Sequence, residues 1–249
     1  MVIARHTLSF PIFHWLRAKW KRMEYATPAG WVRLGSLRRV TPLSSDFGYD
    51  RGMPIDRFYI EKFIANHETE IRGHVLEIAD DNYTRQFGGD RVVKSDVLHV
   101  STEDPKATLV GDLTSADHIP SDTFDCIIIT QTLQLIYDVR AALQTIYRIL
   151  KPGGVVIATF PGISRISRYD AERWGHYWAF TSLSARRLFC EVFPEGQIQI
   201  SAYGNVLSAA GFLYGMATEE LKQKELEHFD PDYELIIGVR AVRPANEAF

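Results

Sequence analysis

The chain is short of cysteine. It has two, Cys126 in an apolar run and Cys190 on an expected helix, and neither has metal-ligand spacing. A disulfide framework needs more, so a reducing, cytoplasmic setting is the simplest expectation. No apolar run reaches the roughly 18–20 residues of a membrane span. The basic residues Arg17, Lys19, Lys21 and Arg22 follow the apolar part of the N-terminus, whereas a signal peptide carries them in front, so none is expected. There is no P-loop, no Gly-x-Ser-x-Gly, no internal repeat and no low-complexity tract. The most consequential absence is glycine. Val75-Leu76-Glu77-Ile78 reads as the opening strand of a nucleotide-type α/β sheet, ending in an acid. A glycine-rich loop is expected next, because it lets backbone approach a ligand closely. Ala79-Asp80-Asp81-Asn82-Tyr83 stands there instead, and Gly88-Gly89 arrives too late for the same turn.

What is present is ordinary in bulk and uneven in distribution. With 249 residues, 46% hydrophobic and 24% charged, the chain can bury a full core in one or two domains. Net charge is −3, but residues 1–40 hold eight basic residues against Glu24 and so carry +7, leaving −10 on the rest. Residues 8–24 mix aromatic and basic side chains, as expected of a short helix. Such a helix either packs Phe13, Trp15 and Leu16 on the main body or lies on anionic lipid, a peripheral contact open to the basic segment 1–40. Residues 26–53 read as loop-rich, with Gly30, Gly35, Gly48 and Gly52. The expected division is a basic arm over 1–53 and an α/β domain over 54–249.

Pro54 suits the first position of a helix whose apolar face is Ile55, Phe58, Tyr59 and Phe63. From residue 74 strands and helices alternate. Strands are expected at 74–78, 91–96, 107–110, 124–130, 155–160, 197–202 and 234–242. Phe124–Thr130 (FDCIIIT) is a predominantly apolar run, as expected of a parallel strand buried on both faces. Asp138 is placed to cap a helix bearing Val139, Leu143, Ile146 and Leu150, which Pro152-Gly153-Gly154 ends. Further helices are expected from Thr181 or Ser182 and over 206–216. The predicted fold is α/β: a doubly wound, mostly parallel seven-stranded sheet with an antiparallel edge strand and an N-terminal helical or extended arm.

In such a sheet ligands bind beyond the carboxyl ends of the strands. Glu77, Asp96 and Asp112 each fall at an expected strand end. An acid about 20 residues after the first loop suits ribose hydroxyls, which selects Asp96; Asp112 can receive a purine amine. Three acids suit a cationic, ribose-bearing ligand better than a pyrophosphate, which they would repel. Single strand-end acids also serve simply as helix caps or solvated charges.

VLEI, TFDCIIITQTL (Thr123–Leu133) and LKPGGVVIATFP (Leu150–Pro161) together resemble class I S-adenosylmethionine (SAM) methyltransferases, over roughly residues 54–200. FGYDRGMPIDRFYIEKF (Phe47–Phe63), WGHYWAFT (Trp174–Thr181) and YGNVLSAAGFLYG (Tyr203–Gly215) resemble a bacterial type-11-like subgroup associated with sugar and polysaccharide assembly. The resemblance implies SAM as cofactor, held by Tyr59, Glu77, Ala79, Asp80, Asp96, Asp112, Leu113 and Gln131. Ala79 is compatible with binding if its φ is negative. Arg57 is placed to meet the SAM carboxylate, or else to pair with Glu61 one helical turn on. His176 and Tyr177 are the candidate catalytic residues, His176 as base and Trp174, Tyr177 and Trp178 as an acceptor wall; the alternative is a packed aromatic cluster with His176 at the surface. His99 is a weaker candidate. No metal is expected. The implied reaction is O-methylation of a small-molecule or glycan-linked hydroxyl. The degenerate loop keeps open a second reading, a non-methylating protein on the same fold. Nucleic acid is not an expected partner: Thr130-Gln131-Thr132-Leu133 stands where a base methylase carries Asn/Asp-Pro-Pro-Tyr.

Overall fold

In a computed structural model of the chain, Thr27 and residues 30–245 are described. The expected helix over 8–24 lies outside them. The chain divides into two compact units, Met1–Val40 and Thr41–Phe249. The described part of the first contains a single 3-10 turn, Gly35–Leu37. Residues 41–53 belong to the second unit, where Leu43 N and Ser44 N both donate to Tyr214 O.

The second unit holds seven strands: β1 (Gly73–Ile78), β2 (Val92–His99), β3 (Leu109–Val110), β4 (Phe124–Thr130), β5 (Leu150–Pro161), β6 (Ile198–Tyr203) and β7 (Ile236–Val242). They form one sheet in the order β3-β2-β1-β4-β5-β7-β6. Pairing is parallel from β3 to β5, and β7 runs antiparallel to both its neighbours, so the antiparallel ladders are confined to one edge. The chain leaves β1 on one side to build β2 and β3, then crosses to the other side for β4. That reversal opens a crevice beyond the carboxyl ends of β1 and β4.

Side-chain alternation explains the apolar run of β4. Ile127 and Ile129 enter one core cluster, Cys126 and Ile128 the other. Successive strand residues point to opposite faces, and both faces here are covered. On the first face lie α2 (Val139–Ile149) and α4 (Ser182–Cys190); on the second lie α1 (Ile55–Ala65) and α5 (Val206–Tyr214). The expected Asp138 cap forms, its Oδ1 accepting from Ala141 N at 3.0 Å. Thr181 and Ser184 make a capping box at the start of α4. Two short helices, α3 (Arg168–Arg173) and α6 (Gln223–Glu227), complete the unit. Among the described residues no helix is long and apolar enough to cross a membrane.

Three details differ from the sequence expectation. Strand β2 runs on to His99, because Val97 and Leu98 are buried and continue its ladder with β1. Pro152-Gly153-Gly154 does not separate helix from strand; it lies within β5 at a register irregularity against β4. The crossover from β1 to β2 spans only residues 79–91 and contains one π turn, Thr84–Gly88, followed by a 3-10 turn, Gly89–Arg91. A parallel crossover needs about a dozen residues, so little length remains for a full helix.

Helix α1 lies close enough to β7 that a Cβ built on Gly238 would come within 2.5 Å of the buried Phe63 ring. Gly238→Ala is therefore expected to destabilise the fold by about 1–3 kcal/mol through overpacking. Urea unfolding followed by circular dichroism measures it; an unchanged midpoint would show that Phe63 is free to move aside.

Candidate active site

The crevice is a cavity of about 1220 Å³. Ile78 and Ala79 after β1, Leu98 and His99 at the end of β2, and Thr130 and Gln131 at the end of β4 form its floor. Pro54 and Arg57, at the start of α1, line it from the opposite flank.

Ala79 decides the local path. Its φ is +73°, the left-handed region, and its amide donates to Leu98 O at 3.0 Å. The negative φ on which the compatibility of Ala79 with cofactor binding was conditioned is not found. Ala79 adopts a glycine-like conformation while carrying a Cβ, at a cost of roughly 1–2 kcal/mol. Asp80 lines the cavity and closes the next turn, accepting from Asn82 N at 3.1 Å and Asn82 Nδ2 at 2.6 Å. Asp81 is held instead by Arg85 Nε at 2.6 Å.

Glu77 is 2% exposed and turns inward. Its two oxygens accept from Tyr83 N at 3.1 Å and Thr84 N at 2.7 Å, so it holds the loop and does not line the cavity. Burial pushes its carboxyl up to about 7, against the pull of those two amides. Tyr83 then returns to the site: its hydroxyl accepts from Arg57 Nη1 at 2.7 Å, while Arg57 Nε donates to Tyr49 Oη at 2.8 Å. No ion pair joins Arg57 to Glu61 or to any other carboxylate among the described residues, so the helical-turn alternative does not form. Arg57 presents a cation to the cavity on two neutral tyrosines.

The remaining candidates separate. Asp112, Leu113 and Gln131 line the cavity. Asp112 Oδ1 accepts from Thr114 N and Thr114 Oγ1, both at 2.8 Å. Gln131 sits at φ +48°. Tyr59 lies elsewhere: it is 1% exposed, donates its hydroxyl to Leu226 O at 2.8 Å and stacks on Tyr203. It is a core residue, because the register of α1 turns Arg57 to the cavity and Tyr59 to the sheet. Asp96 is also corrected. It lies inside β2, opposite Leu76, and bonds to Lys94 Nζ at 2.8 Å, Thr108 Oγ1 at 2.8 Å and a His74 ring nitrogen at 2.6 Å. With β2 three residues longer than expected, the strand end carries His99 and Val100 and no acid. Of the three acids read as strand ends, Asp112 alone reaches the cavity.

His176 and Tyr177 face different spaces. Tyr177 joins Tyr137 and Trp174 in the cavity wall, with the Tyr137 and Tyr177 rings 5.4 Å apart edge to face. Trp178 stacks on Tyr137 from behind. His176 lines a separate chamber of about 110 Å³, whose residues Tyr49, Arg57, Gln131 and Asp170 are shared with the main cavity. Its Nδ1 is buried, so it is not the surface histidine of the packed-cluster alternative. Tyr49 and Asp170 escaped sequence reading, as did the role of Tyr83 as a partner of Arg57. The bond joining Arg57 to Tyr83 spans 26 positions and leaves no local pattern. No group of metal-ligating side chains occurs among the described residues.

Residues 72–158 match a family model described as a methyltransferase domain. Among solved structures, the [4+2]-cyclase SpnF superposes with a TM-score of 0.52 at 16% identity, covering 83% of this chain and 88% of that one. A SAM-dependent methyltransferase from Archaeoglobus fulgidus gives 0.50 at 10% identity, covering 75% and 94%. At these identities the likeness is one of fold. No curated protein matches the chain.

Two outcomes are expected of the loop. Ala79→Gly should raise stability by about 1 kcal/mol or slightly less, because relief of the left-handed strain exceeds the added freedom of the unfolded chain; a lowered urea midpoint would contradict the strain. Glu77 has a folded pKa above its unfolded value, so its stabilising contribution is complete below about pH 4.5 and declines as pH rises toward 7. The decline is on the order of 3 kcal/mol, and Glu77→Gln should lack that slope. Urea unfolding at several pH values between 5 and 8 compares the two; parallel curves would remove Glu77 as the titrating group.

Proposed function

We propose that the chain, whose residues 72–158 match a methyltransferase-domain model, is a class I SAM-dependent methyltransferase that methylates a hydroxyl of a small molecule or glycan-linked acceptor. The observation that carries this reading is Arg57: a guanidinium hydrogen-bonded to Tyr49 and Tyr83, in no salt bridge among the described residues, lining the cavity together with Ala79, Asp80 and Asn82. Such a cation suits the amino-acid carboxylate of SAM. Asp80 suits the ammonium at the same end, and Asp112 with Leu113 suits the adenine, whose amine needs an acceptor and whose ring needs an apolar wall. The residues therefore fit the cofactor at both ends, with His99 and Val100 in place of an acid along the ribose.

When bound, SAM supplies an electrophilic methyl group on sulfonium. The chain's own part is positioning and proton removal. Tyr137, Trp174 and Tyr177 offer flat aromatic faces to a ring or sugar acceptor. His176, in the adjoining chamber, is the candidate general base for the hydroxyl proton. Cytoplasmic action and a role in polysaccharide or natural-product assembly belong to the same proposal.

The strained, glycine-free turn at Ala79 and the missing acid at the end of β2 favour a second reading, a non-methylating protein on this fold. The superposition on a [4+2]-cyclase is compatible with it.

Calorimetry with S-adenosylhomocysteine separates the two. Micromolar binding is expected, weakened tenfold or more in Arg57→Met, since a charge-assisted hydrogen bond is worth about 1.5–3 kcal/mol. No heat at millimolar ligand would exclude the methyltransferase reading.

A further inference from the structure

The first forty residues differ in composition from the rest of the chain. They carry eight basic residues against Glu24 and hold three of the five tryptophans, Trp15, Trp20 and Trp31. No acid occurs between Glu24 and Asp46. Residues 41–249 carry −10, so the positive charge is a local property of this segment.

The described part of the segment exposes its apolar side chains. None of residues 30–40 is buried. Trp31 is 75% exposed, and Val32, Leu34 and Val40 are exposed with it. The 3-10 turn Gly35–Leu37 has Leu34 at one cap and Arg38 at the other. Arg33 and Arg38 enter no salt bridge among the described residues. Exposed apolar side chains gathered among cations mark an interaction surface. The sequence over 8–24 repeats the combination, with Phe13, Trp15, Leu16 and Trp20 set among Arg17, Lys19, Lys21 and Arg22. Packing that stretch inside a protein core would bury four cations beside one acid, and buried charges need partners.

Two kinds of polyanion attract such a segment, a nucleic acid and an anionic bilayer. A nucleic acid rewards the cations, and its bases stack on aromatic rings, but it gives no place to Ile12, Leu16, Val32, Leu34 and Val40. A bilayer surface takes all three kinds of side chain. Tryptophan settles at the headgroup level, aliphatic side chains enter the acyl boundary, and lysine and arginine meet the lipid phosphates while their stems lie along apolar surface.

We propose that residues 1–40 are a membrane-attachment segment that holds the chain on an anionic lipid bilayer. The inference is independent of the methyltransferase reading and goes beyond it by assigning the chain a partner surface.

Co-sedimentation of the full chain with vesicles tests it. One set is phosphatidylcholine alone; the other is roughly one third phosphatidylglycerol, an anionic lipid. Attachment to the anionic set is expected to be at least tenfold stronger at about 0.1 M salt and to fall at least tenfold at about 1 M, where the charges are screened. Each Lys or Arg near such a surface strengthens attachment about fivefold, so Arg17→Gln, Lys19→Gln, Lys21→Gln and Arg22→Gln together should weaken it a hundredfold or more. Trp31→Ser with Leu34→Ser should weaken it about fivefold or more. Circular dichroism checks the fold of both variants; if either fails to fold, the lipid and salt comparisons on the unmodified chain still decide. No attachment to the anionic vesicles, equal attachment to both sets, or attachment unaltered in both folded variants would overturn the proposal. Tighter binding of a short DNA duplex, read by fluorescence anisotropy at the same salt, would assign the segment to nucleic acid and overturn it as well. S-adenosylhomocysteine calorimetry reads the cavity separately and should be unchanged in both variants, so either reading can fail without the other.

Discussion

The inward-turned carboxylate of Glu77 is the contact on which the site depends. Strand β1 is packed on both faces, so an acid at its penultimate position must either reach solvent or find donors in the interior. It takes the amides of Tyr83 and Thr84. That choice pulls residues 79–84 back over the strand end and brings the Tyr83 hydroxyl to Arg57. Arg57 is steadied in turn by Tyr49, from the segment preceding α1. A single buried acid thus connects the core of the sheet to the charged end of the cavity.

The same contact accounts for a loop without glycine. Glycine after such a strand makes a left-handed turn at no steric cost. Ala79 makes the turn regardless, with φ +73°. The strain, roughly 1–2 kcal/mol, is offset by local bonds: Ala79 N to Leu98 O, and the two amides on Glu77. At a typical net contribution of about 0.5–1.5 kcal/mol per hydrogen bond, three such bonds are enough to match one strained residue. Glycine is one solution to the turn, and a well-anchored alanine is another.

Much of the fold was legible because its signals are local. FDCIIIT marks β4 with the bounds found in the structure, since a strand covered on both faces is apolar on both, here at every position but Asp125 and the terminal Thr130. Asp138 and Thr181 announce their helices through capping chemistry that reads over three residues. The site was less legible, for two reasons. A strand's end cannot be read from its acid: Val97 and Leu98 extend β2 past Asp96, and three residues of strand, about 10 Å, carry Asp96 away from the crevice. Tyr59 lies on the apolar face of α1, as its spacing predicts, and so does not also reach the cavity. Tyr59 and Arg57 are two positions apart, and on a helix that spacing separates them by about 200°, so one faces the cavity and the other the core.

Charge placement then limits what the site can hold. With Glu77 buried in the loop and Asp96 paired within the sheet to Lys94, the cavity is lined by the acids Glu61, Asp80, Asp112, Asp138 and Asp170 and by the guanidinium of Arg57. An acid-rich wall with one guanidinium favours a ligand of net positive charge that also carries a carboxylate. It disfavours a pyrophosphate, which would need several donors where the acids stand.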